Sequence, residues 1–225
     1  MPKQRNCLDK YYNETNKYEI GIDEAGRGPM FGRVYAAAVI LPKDETFNHL
    51  LMKDSKKFTS DKKILEAYEY IKTNAIKWGV GFCSEYEIDN INIRNATHNA
   101  MHKAIKNLNL DINENIIDDY LILVDGRDFK QYTIINNDSI NMIPNICIEG
   151  GDNKYSSIAA ASILAKVERD KYIKELCEKD DRLNIRYGLL KNKGYGTSEH
   201  MNGIKTYGIT QYHRKTFGIC KNYCI

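Results

Sequence analysis

The chain lacks a long apolar run. Its longest, Val34 to Leu41, falls far short of the roughly 20 residues that a membrane-crossing helix needs. The first twenty residues mix Lys, Arg, Asp and Glu, with no apolar block and no small-residue cleavage site. Neither a membrane span nor a secretory leader is expected, and the chain reads as intracellular and cytoplasmic. Cysteines are few, at 7, 83, 147, 177, 220 and 224, and show none of the paired short spacings of zinc fingers. Reduced thiols are the default, and Cys220 with Cys224 makes only half a metal site without a second pair. His98 and His102 stand four apart, as zinc-protease ligands do, but Asn99 occupies the place where that chemistry requires Glu. With only four prolines, no Gly/Pro linker and no internal repeat, nothing divides the 225 residues. Hydrophobic residues make up 42% and charged residues 28%, which excludes disorder and leaves a globular chain with a substantial core.

Charge is uneven along the chain. From Arg186 to Ile225, seven Lys or Arg stand against the single acid Glu199, a local balance of +6 within a total of +3. Tyr187, Tyr195, Tyr207, Tyr212 and Phe217 are interleaved with those cations, a pattern suited to a phosphate backbone and to stacking on sugars or bases. A solvated helical face would carry the same charges.

Tyr18 to Asp23 and Gly32 to Leu41 read as strands joined by a Gly-Arg-Gly-Pro turn. Ser60 caps a helix over about Asp61 to Thr73, Ala75 to Phe82 reads as a third strand, and Arg94 to Leu108 as a second helix. Tyr120 to Val124 and Asn145 to Ile148 are apolar throughout, as buried parallel strands are, and a long helix follows from about Ser156 to Glu178. This order predicts an α/β fold, a mixed sheet covered by helices. Residues 1 to 17 form a polar tail expected to fray, 18 to 185 the main domain, and 186 to 225 a basic C-terminal extension.

The sharpest local feature is Asp23-Glu24-Ala25-Gly26-Arg27-Gly28-Pro29. Adjacent carboxylates on a regular strand face opposite sides of a sheet, so a bend at the glycines is expected to bring both to one place. Asp125 ends a buried strand, at the edge where α/β folds place their ligands, and Asp152 precedes the long helix. Each acid alone is accounted for equally well by a turn or a cap. Four hard oxygen ligands without a His or Cys cluster favour Mg²⁺ or Mn²⁺, and two such ions suit phosphodiester hydrolysis.

Asp23 to Pro29, Asp54-Ser55-Lys56-Lys57, Val124-Asp125-Gly126, the run from Ser157 to Asp170, Lys193-Gly194-Tyr195-Gly196-Thr197 and His213-Arg214 together resemble type 2 ribonuclease H, ribonuclease HII, of the bacterial type. The likeness spans about residues 18 to 218. It implies a ribonuclease H-like five-stranded mixed sheet with a small helical C-terminal extension. It also implies a monomeric endoribonuclease that hydrolyses the RNA strand of RNA/DNA hybrids. Such enzymes also cut 5′ to single ribonucleotides embedded in duplex DNA, leaving 3′-hydroxyl and 5′-phosphate ends. By the same likeness Asp23, Glu24, Asp125 and Asp152 are the metal-binding carboxylates. Gly26, Arg27 and Gly28 sense the ribose 2′-hydroxyl, and Tyr195 stacks on the sugar at the RNA-to-DNA junction. Lys56, Lys166 and Arg214 are candidate phosphate contacts. No sliding-clamp peptide is evident. The likeness breaks at Gly150, where the family usually has Lys, and at Arg33, a charge near the site that would meet a flanking phosphate or solvent. Two other readings stay open: a nuclease acting on DNA, and a non-catalytic nucleic-acid-binding module.

Overall fold

The computed structural model describes residues 7–110, 117–136 and 139–223. Its centre is a five-stranded sheet. Strands β1 (Tyr18–Ala25), β2 (Val34–Ile40) and β3 (Lys77–Cys83) run antiparallel to their neighbours, and β4 (Tyr120–Asp125) lies parallel to β1. A hairpin of β5 (Thr133–Asn136) and β6 (Ser139–Met142) stands apart, and β7 (Asn145–Ile148) pairs in parallel with β4. The spatial order is β3-β2-β1-β4-β7. The predicted mixed sheet is therefore present, with the β5–β6 hairpin as an addition that the sequence reading did not place.

Helices cover both faces, and that accounts for β2 being buried at every position instead of alternating. Against one face lies α1 (Asp61–Asn74), begun by the Ser60 side chain accepting from the Lys63 amide. The opposite face is covered by α2 (Glu85–Lys106), whose Ala96, Ala100, Met101 and Ala104 pack on Ile20, Ile22 and Val124. This helix starts nine residues before the predicted Arg94. A Ser84–Glu87 capping box opens it, and a kink at Asn92 (φ 65°, ψ 162°) divides it, with Asn92 Oδ1 accepting from the Asn95 amide to restart the helix. The predicted helix corresponds to the segment after the kink.

Helix α3 (Ser156–Lys179) crosses on the α1 side, and its Ala159, Ala160 and Ala161 sink against Ala37 and Val39. The approach is close enough that a Cβ on Gly21 would lie 2.2 Å from the Ser157 carbonyl carbon, so only glycine fits in β1 at that position. The far half of α3 carries the C-terminal helices α4 (Arg182–Tyr187), α5 (Leu189–Asn192) and α6 (Ser198–Tyr207) through Ile173, Leu176, Tyr187 and Ile204.

The N-terminal segment is pinned, at least over residues 7–17. The Asp9 carbonyl accepts from the Ser156 amide at the start of α3, and the Glu19 carboxylate accepts from the amides of Tyr12 and Asn13. The expected fraying is not seen at these points, where the Tyr12 and Asn13 amides are satisfied by buried Glu19 and Asp9 is tied to the start of α3; residues 1–6 lie outside the described residues, as does Cys224. No helix among the described residues is long and apolar enough to cross a membrane.

Candidate active site

Both acids of the Asp23-Glu24 pair belong to β1, which continues regularly to Ala25. Strand alternation therefore holds to the end. Asp23 shares the α3 face with Gly21, and Glu24 shares the α2 face with Ile22. The predicted bend begins only after Ala25; both carboxylates reach one cavity because they sit at the very tip of the strand. Ile22 is in register with Val124, so Asp23 and Asp125 are neighbours at the ends of two parallel strands. Asp152 lies in a short 3₁₀ turn (Gly151–Asn153) between β7 and α3, and Asp125 Oδ1 accepts from the Gly151 amide at 2.7 Å.

These acids act on one another. Asp23 is buried, and its carboxyl is pushed well above the usual carboxylate range, first by burial and then by the charges of Glu24 and Asp125. Burial also raises Glu24, opposed by Arg27. Burial raises Asp152 too, with Asp125 and Asp54 adding to it. Among the described residues no three His, Cys, Asp or Glu side chains form a ready-made cation cage. Each carboxylate is instead turned to a partner of its own: Asp23 to the Glu24 amide and the Ser162 hydroxyl, Glu24 to Arg27, Asp152 to Asn153. The four acids are grouped electrostatically at one rim of the sheet, without a closed ligand set.

A cavity of about 270 Å³ opens over this rim, and Asp23, Glu24, Asp125, Lys56, Lys166 and Tyr195 contribute to its wall. Lys56 stands in the field of Asp54, Asp152, Asp23 and Asp125. Lys166 is held by Asp170 at 2.7 Å. Tyr195 is half exposed, and a Cβ on Gly28 would be 3.6 Å from its ring, so turn and ring face each other across the mouth.

Arg214 is elsewhere. Its side chain is fully buried and donates to the carbonyls of Gly32 (2.8 Å), Arg27 (3.0 Å) and Gly26 (2.6 Å). The expected phosphate contact is corrected accordingly: this guanidinium holds the Gly26-Arg27-Gly28 turn from beneath. Arg169 does the same one step along, donating to Phe31, Arg33 and Lys193 carbonyls. Gly26 is required here, with φ at 93° and a Cβ position 2.2 Å from Arg169 Nε. Arg33 also points away from phosphate, its guanidinium stacked between Phe82 (4.1 Å) and Tyr172 (4.3 Å).

Tyr195 rests on a buried histidine pair. His200 Nδ1 meets the Tyr195 carbonyl at 3.0 Å, its Nε2 lies 3.2 Å from His213 Nε2, and His213 Nδ1 accepts from the Thr210 amide. His98 and His102 do not face a common ligand; His102 bonds the Lys130 carbonyl and His98 faces Asp128. The residues that sequence reasoning missed are Ser162, Asn153, Arg169 and His200. Ser162 had a signal, a hydroxyl inside the apolar run Ile158 to Ala165.

Residues 20–220 match the family model described as Ribonuclease HII. A ribonuclease HII of Parabacteroides distasonis is 45% identical over 206 residues, 92% of each chain, and one of Pelagibacter ubique is 44% identical over 89% of this chain and 96% of its own. The fold is shared with the ribonuclease H2 of Pyrococcus horikoshii, with a TM-score of 0.66 and 21% identity over 92% of this chain and 96% of that one. It is also shared with Bst-RNase HIII solved in complex with Mn²⁺, with a TM-score of 0.59 and 18% identity over 93% of this chain and 70% of that one. A match over nearly the whole chain, with the acids and the glycine turn at one sheet edge, makes this chain a member of the ribonuclease HII family of endoribonucleases.

Proposed function

We propose that this endoribonuclease uses divalent cations, Mg²⁺ or Mn²⁺, at Asp23, Glu24, Asp125 and Asp152. On this reading it cuts both RNA/DNA hybrids and the 5′ side of single ribonucleotides in duplex DNA, leaving 3′-hydroxyl and 5′-phosphate ends. The observation that carries the reading is the placement of Asp23 and Asp125 just beyond the Ile22–Val124 register of two parallel strands, with the Asp125 charge raising the carboxyls of Asp23, Glu24 and Asp152. The donor set fits the proposed ions. It offers only hard carboxylate oxygens, and a carboxyl raised by burial and then by neighbouring like charge is one that a cation would relieve. A solved ribonuclease HIII of the same fold is described in complex with Mn²⁺. When bound, a pair of such ions supplies charge neutralisation for in-line displacement at a phosphodiester.

The chain's own residues then divide the remaining tasks. Gly26, Arg27 and Gly28 face the ribose, the hydroxyl of which distinguishes RNA from DNA, and Tyr195 stacks on the adjoining sugar across the cavity mouth. Lys56 and Lys166 line the path of the backbone, Lys166 exchanging Asp170 for phosphate. Arg214 and Arg169 hold the turn in register with Tyr195 and touch no substrate. A labelled duplex with one ribonucleotide, incubated with Mg²⁺ or Mn²⁺ beside an all-DNA control, tests the reading. Cleavage of the first alone, 5′ to the ribose, is expected; cutting of both, or binding without cutting, would overturn it.

A further inference from the structure

The carboxylate rim has a second cavity on its other side. About 330 Å³ in volume, it lies between the strand ends and α2, shares Glu24, Arg27 and Asp125 with the Tyr195 cavity, and is walled beyond them by Arg94, Arg127 and Asp128. Each guanidinium now faces a carboxylate: Arg27 faces Glu24 at 3.3 Å, Arg127 faces Glu149 at 2.7 Å, and Arg94 holds Asp128 through two bonds of 2.5 and 3.0 Å. The Arg94 and Arg127 side chains are 66% and 79% exposed, so these pairs are weak and exchangeable. The two-pronged grip of Arg94 on a planar carboxylate is the geometry with which arginine also grips phosphate.

We propose that this cavity seats a backbone phosphodiester of the nucleic-acid substrate, on the side of the carboxylates away from Tyr195, with Arg94 and Arg127 as its anchors and Asp128 as the internal competitor that the phosphate displaces. The inference rests on the proposed cation site: with Glu24 and Asp125 engaged by cations, the Arg and acidic side chains left in the wall are Arg27, Arg94 and Arg127 against Asp128, beside the neutral Thr97 and Met101 and the imidazole of His98. A strand passing over the rim from Tyr195 enters this cavity next, so the phosphate concerned lies 5′ to the scissile linkage.

The test is binding of a fluorescent all-DNA duplex in Mg²⁺ over a salt series, with the fold of each variant checked by its melting curve. Arg94→Gln combined with Arg127→Gln should flatten the slope of log Kd against log salt by about 0.9 and weaken binding roughly tenfold at moderate salt, since one lost phosphate contact removes about 0.9 from the slope. Asp128→Asn should tighten binding a few-fold, an effect that a merely structural Arg94–Asp128 pair would not produce. In a second arm, on a duplex with one ribonucleotide kept uncut by Ca²⁺ in place of Mg²⁺, a neutral methylphosphonate replaces one linkage 5′ to the ribonucleotide. It should weaken the wild type and leave the double variant unchanged, which also separates a strand phosphate from a free one. An unchanged slope in a folded double variant, weaker binding by Asp128→Asn, or indifference of the wild type to the neutral linkage would each overturn the proposal. Failure of ribonucleotide-directed cleavage in the wild type would instead strike the nuclease reading, leaving the binding slopes to be judged separately.

Discussion

Two buried charged regions lie a few residues apart in this protein and are built on opposite terms. At the strand tips, Asp23 and its neighbours are packed with charges of their own sign, and burial has pushed their carboxyls up. Beneath the adjoining turn, Arg214 and Arg169 are as deeply buried, yet between them they donate to six backbone carbonyls. Burial lowers the Arg214 guanidinium to about 9, with Arg169 adding to the shift, so it stays charged at neutral pH. One region gathers like charge at the strand ends; the other uses charge to fix a loop. A functional site is tolerated as a local cost where the surrounding structure is satisfied.

Breaking the satisfied region should have the largest effect on stability. Arg214→Ala leaves the carbonyls of Gly26, Arg27 and Gly32 without a donor in the interior and should lower unfolding free energy by about 3–5 kcal/mol, read by urea titration. Arg214→Lys, one point donor in place of a fork, should recover only part of that.

The histidine pair gives the next effect. His213 is pushed down to about 3 by burial and then by His200. Between that value and the unfolded value near 6.5, the unfolded chain binds a proton that the native state refuses. Stability is therefore complete above pH 6.5 and falls on acidification, by about 2–3 kcal/mol near pH 4.5. His213→Gln should flatten the pH dependence of the melting temperature over that window.

The unsatisfied region should respond in the opposite direction. Asp23→Asn removes a buried carboxylate from beside Glu24 and Asp125; in EDTA it should raise stability by about 1–2 kcal/mol, and in Mg²⁺ it should abolish cleavage. A loss of stability in that variant would mean that the cluster is not a reservoir of repulsion. The smallest change is expected at the mouth: Gly28→Ala meets only ordinary contact with Tyr195, so unfolding free energy should move by less than about 0.5 kcal/mol. Its effect should fall on single-ribonucleotide cleavage, measured as kcat/KM.

The sheet and its long α3 helix were legible because each follows from local pattern: apolar runs for β4 and β7, alanines for α3; the placement of Asp23, Glu24 and Asp125 near strand ends followed the same way, whereas Asp152 sits in a 3₁₀ turn before α3. The first turns of α2 were missed although Ser84 and Glu87 announce a capping box, because the Asn92 kink hides the helical period. The bend expected at Gly26 and Gly28 was not needed to bring Asp23 and Glu24 together, since a strand tip exposes both faces at once. Arg214 was misread for a deeper reason. In sequence it is one more cation in a basic stretch; only the closure of residues 26–33 over it turns their carbonyls inward. The contact of His200 with His213 was likewise not legible, since it closes across the end of α6 and has no period to betray it.

The central claim, that the grouped carboxylates carry the chemistry while the basic surface carries the affinity, is tested most directly at Asp125. Asp125→Asn should lower turnover of a single-ribonucleotide duplex in Mg²⁺ by at least about 10³-fold, the scale of losing a principal electrostatic group, while duplex affinity stays within a few-fold. Turnover within tenfold of the wild type in that variant would contradict it.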